Sequence, residues 1–236
     1  MRSSLPGLLA LCSLLIVSNA AAQVYKWTDE AGHVHYGDYP PDSKVAKPLA
    51  EVAPGYAAGK DVEVEETEFV YFEISGYSAE QLRSEQELHG ITAYAAFSNR
   101  PYKAWGQCLW RVHWDVNRTM KGDGQCHINN LKLKLRHTIT LGKWVTRADG
   151  PPDLQKKWDA FSATLKNHEL AHKQNSVRAV NDWSTELHNL PPQKDCATVD
   201  EKVRASYQRL QAKVKALDNA LDQAHENNNE ERFSLR

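Results

Sequence analysis

The sequence predicts an α+β fold in which strands come first and two long helices come last. Three observations carry that prediction. Between Leu131 and Leu141, apolar and polar residues alternate with a period of two. From Leu154 to Leu187, and again from Val203 to Leu221, apolar residues recur every three or four positions. The pairs Pro151-Pro152 and Pro191-Pro192 bracket the first helical stretch.

Composition sets the outer limits. The chain has 236 residues, a formal net charge of -1, 41% hydrophobic and 25% charged residues. Those values fit a soluble chain with a substantial core. They argue against a membrane bundle, a disordered chain and a strongly basic nucleic-acid binder. No integral membrane segment is expected once the amino-terminal targeting segment is removed.

That segment, residues 1–22, reads as a signal peptide. Arg2 provides the positive start, Leu8 to Val17 a short apolar run, and Ala20 to Ala22 a small-residue cleavage site. The expected location is therefore periplasmic or secreted. Residues 23–45 read as a small β-hairpin module, with Val24–Thr28 and His33–Tyr36 as strands around the Asp29–Gly32 turn. Tyr25, Trp27 and Tyr36 read first as the packing of the hairpin itself, and the hairpin as the place for an envelope partner. Residues 46–66, mixing Ala, Pro, Gly, Lys and Glu, read as a linker. Residues 67–236 form the main domain.

The main domain opens with the strand Phe69–Ile74. Ser78 then caps a short helix, with Gln81 completing a capping box and Gly90 ending it. Leu109–Val116 alternates, as does Leu131–Leu141, where Lys132, Lys134 and Arg136 share the polar face. One wet face implies an antiparallel sheet covered on one side. His113 and His137 on these strands read as structural. The second long helix is expected to start at Thr198, with Glu201 forming a capping box. An oxidising compartment favours a disulfide, and Cys108, Cys126 and Cys196 lie beyond the targeting segment. Cys126–Cys196 is preferred because it ties the sheet to the connector between the helices; Cys108–Cys126 is the alternative.

The chemistry is in His168-Glu169-Leu170-Ala171-His172, an H-E-x-x-H motif inside the first long helix. Histidines four apart on a helix lie one above the other, so their rings can converge on one Zn(2+) ion. Glu169 is offset by roughly 100° and suits the role of a general base rather than a ligand. Zinc brings the pKa of a bound water toward neutrality, and the glutamate takes its proton. Both histidines fall in the stripe that runs through Trp158, Phe161, Leu165 and Trp183, which predicts that they point inward.

A catalytic zinc needs a third protein ligand. Arg178 and Asn175 occupy the places where a longer metzincin pattern would have histidine and glycine, so the ligand comes from elsewhere. Glu186 and His188 lie roughly 21 Å or more along the helix from His172. His225 continues the stripe of the last helix, whereas axial reach in an antiparallel helix pair favours Asp218 or Asp222. On these two arguments Asp222 and His225 rank level.

Residues from about 68 to 233 resemble a bacterial domain-of-unknown-function family described as predicted secreted zinc-dependent proteases. The resemblance lies in the Phe69–Gly76 strand, Trp110-Arg111-Val112-His113-Trp114, Cys126, Trp158, His168–His172 and Cys196. That family closes with Tyr-Asp-x-x-Thr-x-His-Gly. The matching stretch here, Leu221-Asp222-Gln223-Ala224-His225-Glu226-Asn227-Asn228, keeps the aspartate and has Asn227 in the place of the histidine, and the resemblance thereby puts Asp222 slightly ahead as third ligand, with His225 as the alternative. The resemblance implies an exported, zincin-like peptidase acting on a peptide or protein substrate. A non-catalytic envelope binding or scaffold protein is the alternative it leaves open. Residues 24–41 resemble a separate small envelope module with a Tyr-Lys-Trp, Asp-x-x-Gly, Val-His-Tyr and Pro-Pro pattern.

Overall fold

The computed structural model describes residues 58–94 and 101–227, together with the backbone of three short strands near the amino end. Those strands are β1 (Tyr25–Thr28), β2 (Val34–Gly37) and β3 (Lys47–Pro48). They form an antiparallel sheet in which β1 pairs with both neighbours. The targeting segment and the side chains of Tyr25, Trp27, His33, His35 and Tyr36 lie outside the described residues. Next come β4 (Val62–Val64), β5 (Glu68–Ile74), α1 (Ala79–His89), β6 (Ile91–Tyr94), β7 (Pro101–Ala104), β8 (Gly106–Met120) and β9 (Cys126–Trp144). The helices α2 (Pro152–His188) and α3 (Cys196–Asn227) complete the described residues. The α+β class holds. The segment read as a linker nevertheless contributes β3 and β4.

The long strand β9 is the axis of the main sheet. The turn around Gly122–Gly124 folds β8 back along one edge, antiparallel, from Cys126 to Leu141. The other edge takes β4 and then β5, end to end and both parallel to β9. The expectation of an antiparallel sheet is therefore corrected: the sheet is mixed. Alternation reports which face is wet but not which way a neighbour runs, and β5 reaches its edge before α1, β6 and β7 carry the chain across to β8. The β6–β7 hairpin had no expectation attached to it.

One face of this sheet is wet, as its polar alternation requires. Lys132 and Lys134 point toward Glu63 at 3.8 and 3.7 Å, and Arg136 pairs with Glu65. Such exposed pairs contribute little each. On the opposite face Leu131, Leu133, Leu135 and Ile139 are buried under the helices. Trp183 of α2 meets Trp114 of β8 edge-on at 5.6 Å, and Tyr207 of α3 joins them. A second apolar cluster gathers Ile74, Leu82, Trp144, Leu154 and Trp158 around the start of α2. Between the two clusters lies the middle of α2, where residues 168–172 sit.

Local signals set the helix ends. Ser78 accepts a hydrogen bond from the Gln81 N–H, and Gln81 Oε1 accepts from the Tyr77 N–H rather than from that of Ser78. At the start of α3 the expectation is corrected. The helix begins at Cys196, and Asp195 caps it by accepting from the Thr198 N–H at 2.7 Å. Asp and Thr are both good caps; the helix takes the earlier one and so includes Cys196, whose sulfur is bonded to Cys126. That disulfide, with a Cα–Cα distance of 5.2 Å, is the preferred pairing, and it leaves Cys108 as a free thiol. No helix among the described residues is long and apolar enough to cross a membrane.

Candidate metal centre

Two helices supply the site, each with residues four apart. His168 and His172 project from α2, and Asp218 and Asp222 project from α3, which returns antiparallel past them. The short connector after His188 and the Cys126–Cys196 bond set the register of this return. The axial argument thus holds for the aspartates. His225 lies on α3, and its side chain is outside the described residues.

Three donor atoms converge on one point. His168 Nε2 and His172 Nε2 are 2.9 Å apart, and Asp222 Oδ1 lies 3.2 Å from the first and 3.0 Å from the second. Tetrahedral zinc with bonds of about 2.0 Å has ligand–ligand edges of about 3.3 Å. The triangle therefore fits such an ion with a few tenths of an ångström of expansion, and two imidazoles with a carboxylate are a zinc-type donor set. His168 and His172 are largely buried, with side chains 10% and 13% exposed, whereas Asp222 is 50% exposed. The point is thus reached from the Asp222 side.

Electrostatics bind the cluster together. Burial pulls the His172 imidazole down, but hydrogen bonds to Asp218 and Asp222 more than offset it and hold its pKa up at about 10. Burial pushes the Asp222 carboxyl up, and the His168 and His172 hydrogen bonds outweigh that, leaving it below the usual carboxylate range. A cation at this point would compete with protons for the same nitrogens.

Glu169 points elsewhere. It is only 4% exposed and faces the sheet, against Gly106 at the start of β8. A methyl group at position 106 would stand 2.6 Å from Glu169 Oε1. This revises the reading of the helix stripe. The sheet-facing line is Glu169, Ser176, Val180, Trp183 and Leu187, and the histidines are turned toward α3. The roughly 100° offset is kept, but it places the glutamate on the inner side and the imidazoles on the flank.

Neighbouring groups complete the picture. Cys108, close to this region on β8, has its thiol pushed up to about 12 by burial and by the Glu169 and Asp218 charges, which makes it a poor anionic ligand. Lys173 Nζ donates to Thr67 Oγ1 at 2.8 Å. Glu186 pairs with Arg209 and His188 with Asp61, both away from the centre. His137 is buried on β9 with Nε2 2.8 Å from Ser176 Oγ. Sequence reasoning weighed Asp218 as a ligand rather than as a partner of His172 Nδ1, and it did not single out Gly106. The four-residue spacing of Asp218 and Asp222, matching that of the two histidines, was the available signal for the first; nothing marked the second.

No curated protein and no solved structure matches the chain. Residues 11–62 match a domain of unknown function (DUF4124). Residues 69–229, well over half of the sequence, match the model of a family described as bacterial protein of unknown function (DUF922), and the chain belongs to that family.

Proposed function

We propose that the chain is an exported zinc-dependent peptidase, with His168, His172 and Asp222 as metal ligands and Glu169 as general base. The convergence of three donor atoms beside a buried glutamate carries this reading. Zinc, when bound, supplies the Lewis acidity that polarises a peptide carbonyl and brings the pKa of water within reach of a carboxylate. Glu169, whose carboxylate lies on the inner side of α2 against Gly106, would turn toward the metal point to take the proton of the attacking water and return it to the leaving amine. Its burial excludes bulk water from that exchange, while half-exposed Asp222 leaves an open approach for an extended peptide. The Cys126–Cys196 bond supports work in an oxidising compartment, the periplasm or outside the cell.

Metal analysis of the purified mature protein tests the first half. One zinc per chain is expected, with marked loss in His168→Ala and Asp222→Ala. Wild-type protein without stoichiometric zinc, or zinc unaffected by His168→Ala, sinks the reading. Glu169→Gln should keep the metal and lose hydrolysis of unfolded protein by roughly 10²–10⁴-fold. Zinc held with no cleavage of any peptide library would instead favour a scaffold role.

A further inference from the structure

We infer that Asp218 is a positioning residue that holds His172 as the Nδ1–H tautomer and aims its Nε2 lone pair at the metal point. The inference rests on the zinc reading above and goes one layer outward from it. Asp218 Oδ1 lies 2.9 Å from His172 Nδ1, on the far side of the ring from the atoms that converge. The converging set is His168, His172 and Asp222, so Asp218 is a support and not a fourth ligand.

A carboxylate only accepts hydrogen bonds, so Nδ1 must carry the proton in this pair. Nε2, 2.9 Å from His168 Nε2 and 3.0 Å from Asp222 Oδ1, is the nitrogen at the metal point, so a bound cation would take the place of a proton there and leave the Nδ1 proton held by Asp218. Asp218 is itself held. Asn175, three residues past His172 on the same helix, donates from Nδ2 to the same Oδ1 at 3.0 Å. His172 and Asn175 thus grip one carboxylate oxygen from successive positions on α2, which fixes the ring plane as well as the tautomer. The carboxylate also raises the electron density at Nε2, which strengthens a metal bond there.

Zinc affinity by chelator competition at fixed pH, with the melting temperature of each metal-free protein as a folding control, tests the assignment. Asp218→Ala should weaken zinc binding by about tenfold to a hundredfold. Asp218→Asn, which keeps an acceptor but not the charge, should fall between it and wild type, and it carries the test where Asp218→Ala does not fold. Nitrogen NMR of the zinc-loaded wild type should show His172 protonated at Nδ1, a signature that helix fastening alone would not set. Zinc affinity within twofold of wild type in folded Asp218→Ala, or protonation at Nε2, overturns the assignment. If His168→Ala loses zinc while Asp218→Ala does not, the metal centre stands without this support. A wild type that binds no zinc overturns both.

Discussion

Near their connector, α2 and α3 meet through Val180, Trp183, Val199, Val203 and Leu210, all nearly excluded from solvent. At the other end the same helices meet through His168 and His172 facing Asp218 and Asp222. The first contact gains from every ångström of burial. The second takes charged groups out of water, a desolvation cost that its own ion pairs must offset. The contrast teaches a division of labour. The apolar end, locked by the Cys126–Cys196 bond, fixes angle and register, and the polar end can then hold charges at the spacing a cation requires. If this is right, damage at the apolar end costs stability, whereas damage at the polar end costs metal or turnover.

Trp183→Ala should have the largest effect on stability. The ring is 2% exposed, meets Trp114 edge-on at 5.6 Å, and its Nε1 donates to Ser206 Oγ at 2.7 Å. Losing it leaves a cavity, while the Ser206 hydroxyl keeps its bond to the Val203 carbonyl, at a cost of about 3–5 kcal/mol. Urea unfolding measures this. The folded fraction should retain its zinc stoichiometry; loss of zinc from protein that is still folded would show that the two ends are not separable. Removing the disulfide by Cys126→Ala with Cys196→Ala comes next. It spans 70 residues, and releasing a loop of that size costs about 4 kcal/mol on the chain-entropy account. A loss well under about 1 kcal/mol would mean that the Trp183 layer alone sets the register.

A third prediction compares two histidines. His172 has carboxylate partners, whereas His137 is buried on β9 with Nδ1 lacking any hydrogen-bond partner among the described residues. Burial, with some help from the Lys173 charge, pushes the His137 pKa down from 6.5 to about 4. The folded state therefore refuses a proton that the unfolded chain accepts, and stability falls as pH drops from about 6.5 through about 4. It is unaffected above that window and levels off below it. The full loss is on the order of 3 kcal/mol for this group. His137→Leu should flatten the pH dependence of the metal-free protein between those limits. Parallel profiles for the variant and wild type would assign the acid sensitivity elsewhere.

The sequence exposed some of this and hid the rest for physical reasons. The faces of β9, the pairing of Cys126 with Cys196 and the antiparallel return of α3 to Asp222 follow from periodicity, compartment and helix rise, which are local or one-dimensional quantities. Strand direction is not local: the alternation of residues 131–141 is the same beside a parallel or an antiparallel neighbour, so the parallel pairing of β5 was invisible. The facing of Glu169 was hidden differently. Trp158, Leu165 and Trp183 suggest one broad stripe, but α2 has two working faces, and which of Glu169 and His168 turns to the sheet depends on where α3 docks. Gly106 lies outside any helix and any motif, so its closeness to Glu169 emerges only in three dimensions.

Gly106→Ala should have the smallest effect on stability and is the sharpest probe of the polar end. The new methyl would meet Glu169 Oε1 at 2.6 Å, Leu165 Cδ1 at 3.0 Å and Glu169 Cγ at 3.1 Å. The carboxylate end of a flexible side chain can swing away, so overpacking costs little, and the lower entropy of the unfolded chain offsets about 0.4–1 kcal/mol. The net change in unfolding free energy should be within about 1 kcal/mol. His168 and His172 are on the other flank of α2, facing Asp222 of α3, so zinc affinity should stay near wild type. Turnover should not: moving the proton acceptor by about 1 Å can cost about a hundredfold, seen as lower kcat with little change in KM. Gly122→Ala is the control, because a methyl there meets nothing within 4 Å. If both variants turn over alike, Gly106 does not position Glu169. If Gly106→Ala instead loses zinc, the base and the ligands are mechanically coupled through α2, and the separation between the two faces of that helix fails where it matters most.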